Sequence, residues 1–545
     1  MTKTARQLQE EGLLYDVFEQ ELTDIKDRTY GLVSELSRVS HFDTEYVMSL
    51  VRKIVAKIGQ DSYIVPPFRC DYGDHVFIGN NTYINYNCCF LDSAKVTIGD
   101  YVYMGPNCNI FTPCHPIHYE LRKEKVTEYA LPVTVGSHSW IGGDVVITPG
   151  VTIGENCVIG AGSVVTKDIP DNSIAVGNPC KVIRQVNDKD REYINSLILD
   201  DETKDSKYKQ ENGYVYSAKD EAIFNIVKDT VHYVEILNKL SNSEIQRRRD
   251  FLRTFVAKLD EGAMINSPFY MEFANHLEMG VNSFINYDCI MLNNAMVKLG
   301  DNVLVGPKVS FYTAIHPIDA KQREQWLVYA KPITVEDNVW IGGGSIILGG
   351  ITIGFGSVVG AGSVVTKSIP AGCVAAGNPC RIIRRLEPGY KLRKIEGKDI
   401  PELQALFRNT VLIVNSKDYT QEEVEDWASC GDSIEHWKEL LSVHNYVAAL
   451  DQEGHIIGFS SMNTEGYLHS MFVHKDWQHK GVASMLLSEV EKMALGYGVH
   501  KISAEVSITA RPFFEKHGYK MVKEQKAKAN RLYLTNYVMK KELIY

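Results

Sequence analysis

Between residues 131 and 170 an aliphatic side chain recurs at every sixth position: Val135, Ile141, Ile147, Ile153, Ile159 and Val165. The series returns at Val335, Ile341, Ile347, Ile353, Val359 and Val365. A period of six fits neither the 3.6 of an amphipathic helix nor the alternation of a half-buried strand, and it matches the hexapeptide repeat of a parallel β-helix. In such a fold each hexapeptide makes one flat side of a coil and its aliphatic residue points into the column. A flat parallel sheet would need crossover segments of a dozen or more residues between strands, and 131–170 has room for none. The phase recurs upstream at Ile78, Ile84 and Phe90, then shifted by two at Ile98, Met104 and Ile110. Its second occurrence runs through Met279, Ile285, Met291, Leu299, Val305 and Phe311.

The spacing of Val47, Leu50, Val51, Ile54 and Val55 predicts a helical region over 5–58, and that of Ile223, Ile226, Val227 and Val231 another over 220–259, one ahead of each column. The stretch 187–213 is charged and free of the repeat, which places a boundary near residue 205. After residue 386 the six-residue period stops, and "EPGYKLRKIEGKDIPELQALF" reads as the helical start of a third domain. The expected organisation is 1–205 and 206–388 for two β-helix domains and 389–545 for an α/β domain.

Composition narrows the function class. With 44% hydrophobic and 23% charged residues the chain is of ordinary globular type, and a net charge of −10 without blocks of like charge favours small metabolites over nucleic acid or membrane surfaces. The eleven cysteines form no paired CxxC, and the start MTKTARQLQEEGLLYD has no apolar signal core, so a reduced, cytoplasmic protein is expected. The sixteen histidines show no spacing such as HExxH, and no metal is expected.

The first half, through "EGLLYD", "PFRCDYG", "YINYNCCFLD", "FTPCHPIHYELRK", "SWIGG", "GAGSVVTKDIP" and "GNPCKVIR", resembles the maltose and galactoside O-acetyltransferases over residues 11–186. The resemblance implies a left-handed β-helix, acetyl transfer from acetyl-CoA to a sugar hydroxyl, and a homotrimer with each active site between neighbouring subunits. It implies His115 as the general base, a role histidine suits because a sugar hydroxyl attacks a thioester only with a positioned base. Asp16, Asp71, Tyr83 and Asn85 are implied to line the acceptor pocket. Trp140 and Gly143 fall beside the thioester, where a glycine lets a backbone N–H reach the oxyanion. Ala161, Thr166, Lys167, Lys181 and Arg184 match the coenzyme-binding stretch, and the basic residues suit its phosphates.

The second half keeps the transfer machinery at His316, Asn286, Trp340, Gly343, Ala361, Thr366, Lys367, Arg381 and Arg384. Its acceptor side differs: Glu272 replaces Asp71, Ser217 replaces Asp16, Phe284 replaces Tyr83 and Asn293 replaces Asp92. A polar pocket is sensitive to such changes, so a different acceptor is expected there.

Residues 391–543 resemble the GNAT superfamily of N-acetyltransferases. "QHKGVA" (Gln478, His479, Lys480, Gly481, Val482, Ala483) opens a helix whose free N–H groups suit a pyrophosphate, and "ITARPFFEKHGYKMV" follows it. Many members have a tyrosine acid where this chain has Phe513 and Phe514; Tyr519, Glu505 and His469 are the remaining acid–base candidates. The expected whole is a tandem acetyl-CoA-dependent acyltransferase. Its competitors are a nucleotide-sugar or antibiotic acetyltransferase, and a β-helix scaffold in which only the GNAT domain works.

Overall fold

The computed structural model describes residues 3–123, 126–386, 391–451, 453–478 and 480–543. The expected boundary at 388/389 and His479 lie outside them. Met1–Ile353, Val358–Ile369 and Val374–Ile383 form one compact unit; the second comprises Gly354–Ser357, Pro370–Cys373 and Arg384–Tyr545.

The first unit contains two parallel β-helices, each a column of three sheets. In the first column, one sheet joins Phe68–Cys70, Cys88–Leu91, Asn109–Phe111, Val146–Ile147 and Val164–Val165. A second is built from Lys57–Ile58, Val76–Ile78, Val96–Ile98, Val133–Val135 and Thr152–Ile153. The third runs through Tyr63–Ile64, Tyr83–Ile84, Tyr103–Met104, Trp140–Ile141 and Val158–Ile159, and ends on Ser173–Val176 and the antiparallel Lys181–Gln185. The second column repeats this plan from Lys258–Leu259 to Arg381–Arg385.

The register explains the sequence periodicity. Ile141 pairs with Ile159 and Ile147 with Val165, a coil of three hexapeptides, whereas Ile78 pairs with Ile98 and Ile84 with Met104, a coil two residues longer. The two extra residues lie between Phe90 and Ile98, where the phase slips. All the sixth-position residues from Ile78 to Val165, and their counterparts from Met279 to Val365, are buried. Several corners turn through the left-handed region at Asn or Asp, which tolerate it best after glycine, among them Asn107 and Asp144.

The helical region ahead of the first column resolves into Ala5–Glu10, Gln20–Leu36 and Thr44–Ile54, the last burying Val47, Leu50, Val51 and Ile54 against the column's end. It is interrupted by the strand Tyr15–Asp16, which pairs with Thr127–Ala130, itself paired with Pro113–Cys114. That small sheet fixes the loop holding His115. Tyr216–Ser217, Leu327–Ala330 and Ala314–Ile315 do the same for His316.

The second unit carries two four-stranded sheets. One orders Lys391–Lys394, Asn445–Leu450, Ile456–Met462 and Met471–Val473; the other orders Tyr467–Leu468, Lys501–Ser507, Tyr533–Glu542 and Lys520–Lys528. The chain crosses from one sheet to the other at His469 and Ser470. The helix Val482–Gly496 buries Val482, Leu486, Leu487 and Val490. "KLRK", expected to be helical, is a strand because Arg393 and its neighbours pair with Val447–Leu450; the helix begins at Ile400. No helix among the described residues is long and apolar enough to cross a membrane.

Ile147, 1% exposed, faces the column interior, so Ile147→Ala is expected to lower stability by about 2–5 kcal/mol. Ile117→Ala, at a 97% exposed position, is expected to change it by less than about 0.5 kcal/mol. Chemical denaturation followed by circular dichroism measures both.

Candidate functional site

The second column packs on the first, and the two use different sides. The first presents the strands of Tyr83, Tyr103 and Trp140 with the corner at Gly143 and Asp144. The second presents Tyr270, Ile290, Tyr312, Ile346 and Val364, which form an apolar cluster with Tyr86 and Ala161 of the first. Tyr86 and Tyr270 stack at 5.3 Å, and the Tyr312 hydroxyl donates to Asp144 at 2.5 Å. The Asn378 amide donates to the Gly162 carbonyl at 2.7 Å. A Cβ on Gly143 would lie 2.6 Å from the Tyr312 phenol, so this close approach by itself calls for a residue without a side chain.

The second column's loop is pinned by Arg323, 1% exposed, whose guanidinium donates to the carbonyls of Pro317 and Ile318 within the loop and to that of His138 across the contact. His138 Nδ1 lies 2.7 Å from Glu324. Arg191, on the helix Asp188–Asn195, donates twice to Asp319. The loop thereby sets His316 between aromatic side chains of the first column: Trp140 at 5.5 Å, nearly perpendicular, and Tyr103 at 6.3 Å. Trp326 lies edge-on to both Tyr83 and Tyr103. Burial, and after it the Arg323 charge, pushes the His316 imidazole down to about 4, against the opposing hydrogen bond with the Leu327 backbone. The imidazole is therefore neutral at physiological pH.

His115 carries the same motif in another setting. Its Nδ1 lies 3.1 Å from the Thr127 carbonyl, as His316 engages Leu327, but the side chain is exposed. The facing surface of the second column is open as well, with Trp340 55% exposed where Trp140 is covered.

The acceptor-side residues divide between two places. Tyr83 meets the second column's loop and so belongs with His316, and so do Trp140 and Gly143. Asp16 and Asp71 lie on the His115 side of the first column. Asp16 Oδ1 accepts from the Phe18 N–H, turning the chain into the Gln20 helix. Asp71 accepts from the Tyr30 hydroxyl at 2.9 Å, with Lys26 at 3.7 Å. Asn85 and Asn286 each accept from the following residue's N–H.

Asp92, expected on the acceptor side, instead takes the backbone N–H groups of Asp71, Tyr72 and Gly73. Its substitution by Asn293 keeps two of these bonds, and Thr230 takes over the third at Ala274. Asp74 and His75 bring ligand atoms within 4.8 Å of those of Asp92, and Asp74 is also ion-paired with Arg6.

Glu272 replaces Asp71 with a longer carboxyl that no side chain among the described residues engages in a hydrogen bond or ion pair; burial pushes it up to about 7, and its charge raises the Tyr83, Tyr86 and Tyr216 phenols.

Among the coenzyme-stretch residues, Ala161 packs at the column contact, whereas Thr166, Lys167, Lys181, Thr366, Lys367, Arg381 and Arg384 are exposed, and Ala361 lies at the open corner of the second column. Arg184 is also exposed but committed to a bidentate pair with Asp190.

In the second unit Gly481 adopts φ +79°, closing a left-handed turn at the N-terminus of Val482–Gly496, with Ala483 in its first turn. Gln478 donates to the Val473 carbonyl and Lys480 lies over Trp477. His469, where the sheets part, bonds Ser470 and is pushed down to about 4 by burial, then by His444 and His436. Glu505 accepts from Asn536, and Tyr519 is buried with its hydroxyl on Glu491, which Lys541 also holds.

Sequence reasoning missed Tyr103, Trp326, Arg323 and Tyr312. The one trace of them was the divergence between "REQW" and the matching stretch of the first loop.

Residues 132–167 match the family model described as bacterial transferase hexapeptide (six repeats), and 332–367 that described as hexapeptide repeat of succinyl-transferase. Residues 415–542 match the acetyltransferase (GNAT) domain model. A galactoside O-acetyltransferase of Escherichia coli is 43% identical over 182 residues, 33% of this chain and 89% of that protein. Its counterpart from Lactococcus lactis is 39% identical over 178 residues, 32% of this chain and 86% of that one. A crystal structure of a maltose O-acetyltransferase from Clostridium difficile shares 40% identity and covers 34% of this chain and all of its own, with a TM-score of 0.34. A galactoside acetyltransferase in complex with coenzyme A also shares 40%, covering 35% of this chain and 94% of its own at a TM-score of 0.34. The chain belongs to the hexapeptide-repeat acetyltransferases of the maltose and galactoside type, carries a GNAT domain behind two such repeats, and is an acetyl-CoA-dependent acetyltransferase.

Proposed function

We propose that the chain O-acetylates a sugar hydroxyl in the cleft between its two columns, with His316 of the second as base and the Tyr83–Tyr103–Trp140 face of the first as the other wall. The observation that carries this is the His316 imidazole held neutral against Trp140 by a loop that Arg323 pins across the contact. The sugar assignment draws on the galactoside O-acetyltransferases to which the chain is similar.

In the proposed reaction His316 takes the hydroxyl proton as the oxygen attacks the thioester carbonyl. The tetrahedral intermediate expels the CoA thiolate, which receives the proton from the imidazolium, leaving an ester and a thiol. The Gly142 N–H is committed to the Ile159 carbonyl, so the oxyanion role is assigned to the N–H of Gly143. Glu272, beside Tyr83, accepts a hydrogen bond from the acceptor. The exposed Lys167 and Lys181 are assigned to the coenzyme's phosphates. The C-terminal domain is assigned acetyl transfer to an amine, with the coenzyme pyrophosphate on the Gly481 turn.

His316→Asn is expected to lower acetylation of galactosides by about 100-fold or more, with the same loss in Trp140→Ala/His316→Asn as in His316→Asn alone, because both residues serve one site. Thiol release from acetyl-CoA measures this; a rate in His316→Asn equal to wild type would reject the assignment.

The pH profile separates the two titrating groups. His316, with its value near 4, stays in the base form from pH 5.5 to 8 and gives no inflection. Glu272 changes from acid to carboxylate near 7, and the carboxylate is the better acceptor, so kcat/KM is expected to rise through pH 7 in the wild type and to lose that step in Glu272→Gln.

A further inference from the structure

In the second unit the chain passes from one sheet to the other at His469 and Ser470, and a row of hydroxyls meets it there. Tyr446, on Asn445–Leu450, pairs with Ser461 on Ile456–Met462, and the Ser470 N–H donates to the Ser461 hydroxyl at 3.1 Å. The Tyr446 hydroxyl lies 3.0 Å from that of Ser470. His469 Nδ1 lies 2.7 Å from the Ser470 hydroxyl and 3.4 Å from that of Tyr446. The Ser470 carbonyl accepts from the Ser461 N–H and from the Ser460 hydroxyl, so the backbone that carries the contact is itself fixed. The His444 ring stands 4.9 Å from that of His469, and Tyr467 lies within 6.2 Å of both.

Tyr446 and Ser470 are buried, and buried hydroxyls are held in hydrogen bonds. One direction satisfies the row and frees a base: Nδ1–H donates to Ser470, and Ser470 in turn donates to Tyr446. The lone pair of the neutral imidazole is then on Nε2, which has no hydrogen bond among the described residues. Burial, and after it His444 and His436 of the helix Ile434–Val443, outweigh Glu505 on Lys501–Ser507 and push the imidazole down to about 4, so it stays neutral at physiological pH.

The remaining proton-transfer candidates of this unit are committed elsewhere. Phe513 and Phe514 carry no hydroxyl, Tyr519 is buried with its hydroxyl on Glu491, and Glu505 accepts from Asn536. The strand Met471–Val473 leads from the parting of the sheets toward the Gly481 turn, so a coenzyme with its pyrophosphate on that turn has its acyl end directed to His469.

We infer that His469 is the proton acceptor for acetyl transfer in the second unit, and that Ser470 and Tyr446 are the positioning residues that hold its Nδ1. This rests on the reading of that unit as acting on an amine. The nitrogen of the free amine attacks the thioester carbonyl and forms the C–N bond, while its proton passes to Nε2. The tetrahedral intermediate then breaks its C–S bond, and the imidazolium returns the proton to the CoA thiolate, leaving an amide and a thiol. One imidazole serves both steps, so the tyrosine lacking at Phe513 and Phe514 is not required.

The test uses the full chain carrying His115→Ala and His316→Asn, so that thiol release from acetyl-CoA on addition of spermidine or benzylamine reports the second unit. His469→Gln is expected to lower kcat by about 100-fold or more, with the Kd for acetyl-CoA unchanged. Ser470→Ala and Tyr446→Phe are each expected to lower kcat several-fold, but to cost nothing further once His469 is replaced, because they act through that imidazole. An undiminished rate in His469→Gln overturns the inference, and so does an equal loss when Ser470→Ala is added to His469→Gln. Loss of acetyl-CoA binding in His469→Gln also overturns it, since the residue then shapes the coenzyme site. No release with either amine before His469 is changed overturns the amine reading, and the inference with it.

Discussion

A histidine acts as a base only while unprotonated, and one packing event meets that condition at His316. The second column presses its Tyr312 side and its loop on the first; Arg323, buried, ties that loop to the His138 carbonyl and places a positive charge near the imidazole. Burial and that charge together push His316 down to about 4. His115 has the same HP motif and the same kind of backbone carbonyl partner but no opposing wall among the described residues. Two copies of one motif thus differ through what stands opposite each of them, and the motif alone does not distinguish them.

The same contact explains several residues that would otherwise read as catalytic. Gly143 sits beside Trp140, where a backbone N–H is useful, yet the Tyr312 ring already excludes any Cβ. Ala161 lies in the apolar cluster between the columns. Arg184 binds Asp190 at the start of the helix that reaches Asp319, so it belongs to the scaffolding of the loop. Packing alone accounts for these residues, and the proposed site between the columns is lined by residues that also hold the columns together.

What the sequence made legible follows from how local each feature is. The aliphatic residues from Ile78 to Val365 are buried as the period required, and the slip of two after Phe90 is the longer early coil. The helix opened by Gly481 was equally readable, since a glycine turn and an apolar stripe are written within a dozen residues. The strand Lys391–Lys394 was not, because its only reason to be extended is a partner fifty residues away. Tyr83 was grouped with Asp16 and Asp71, although the columns place it opposite a different histidine. Trp326 and Tyr312 escaped notice altogether, since no repeat pattern records which sides of two columns meet. Asp92 showed the converse: a carboxylate in an acceptor motif whose lone pairs are taken by three backbone N–H groups.

Duplication leaves each half of a contact free to change only in step with the other. Burying the Asp144 carboxylate raises its pKa, and the bonds from Tyr312 and Asn107 offset that cost. Losing Tyr312 alone would leave a buried acceptor unsatisfied at about 1–3 kcal/mol, whereas losing both partners is nearly neutral. Glu272 is under no such constraint. No side chain among the described residues holds it, so a glutamate in place of Asp71 strands no partner among them.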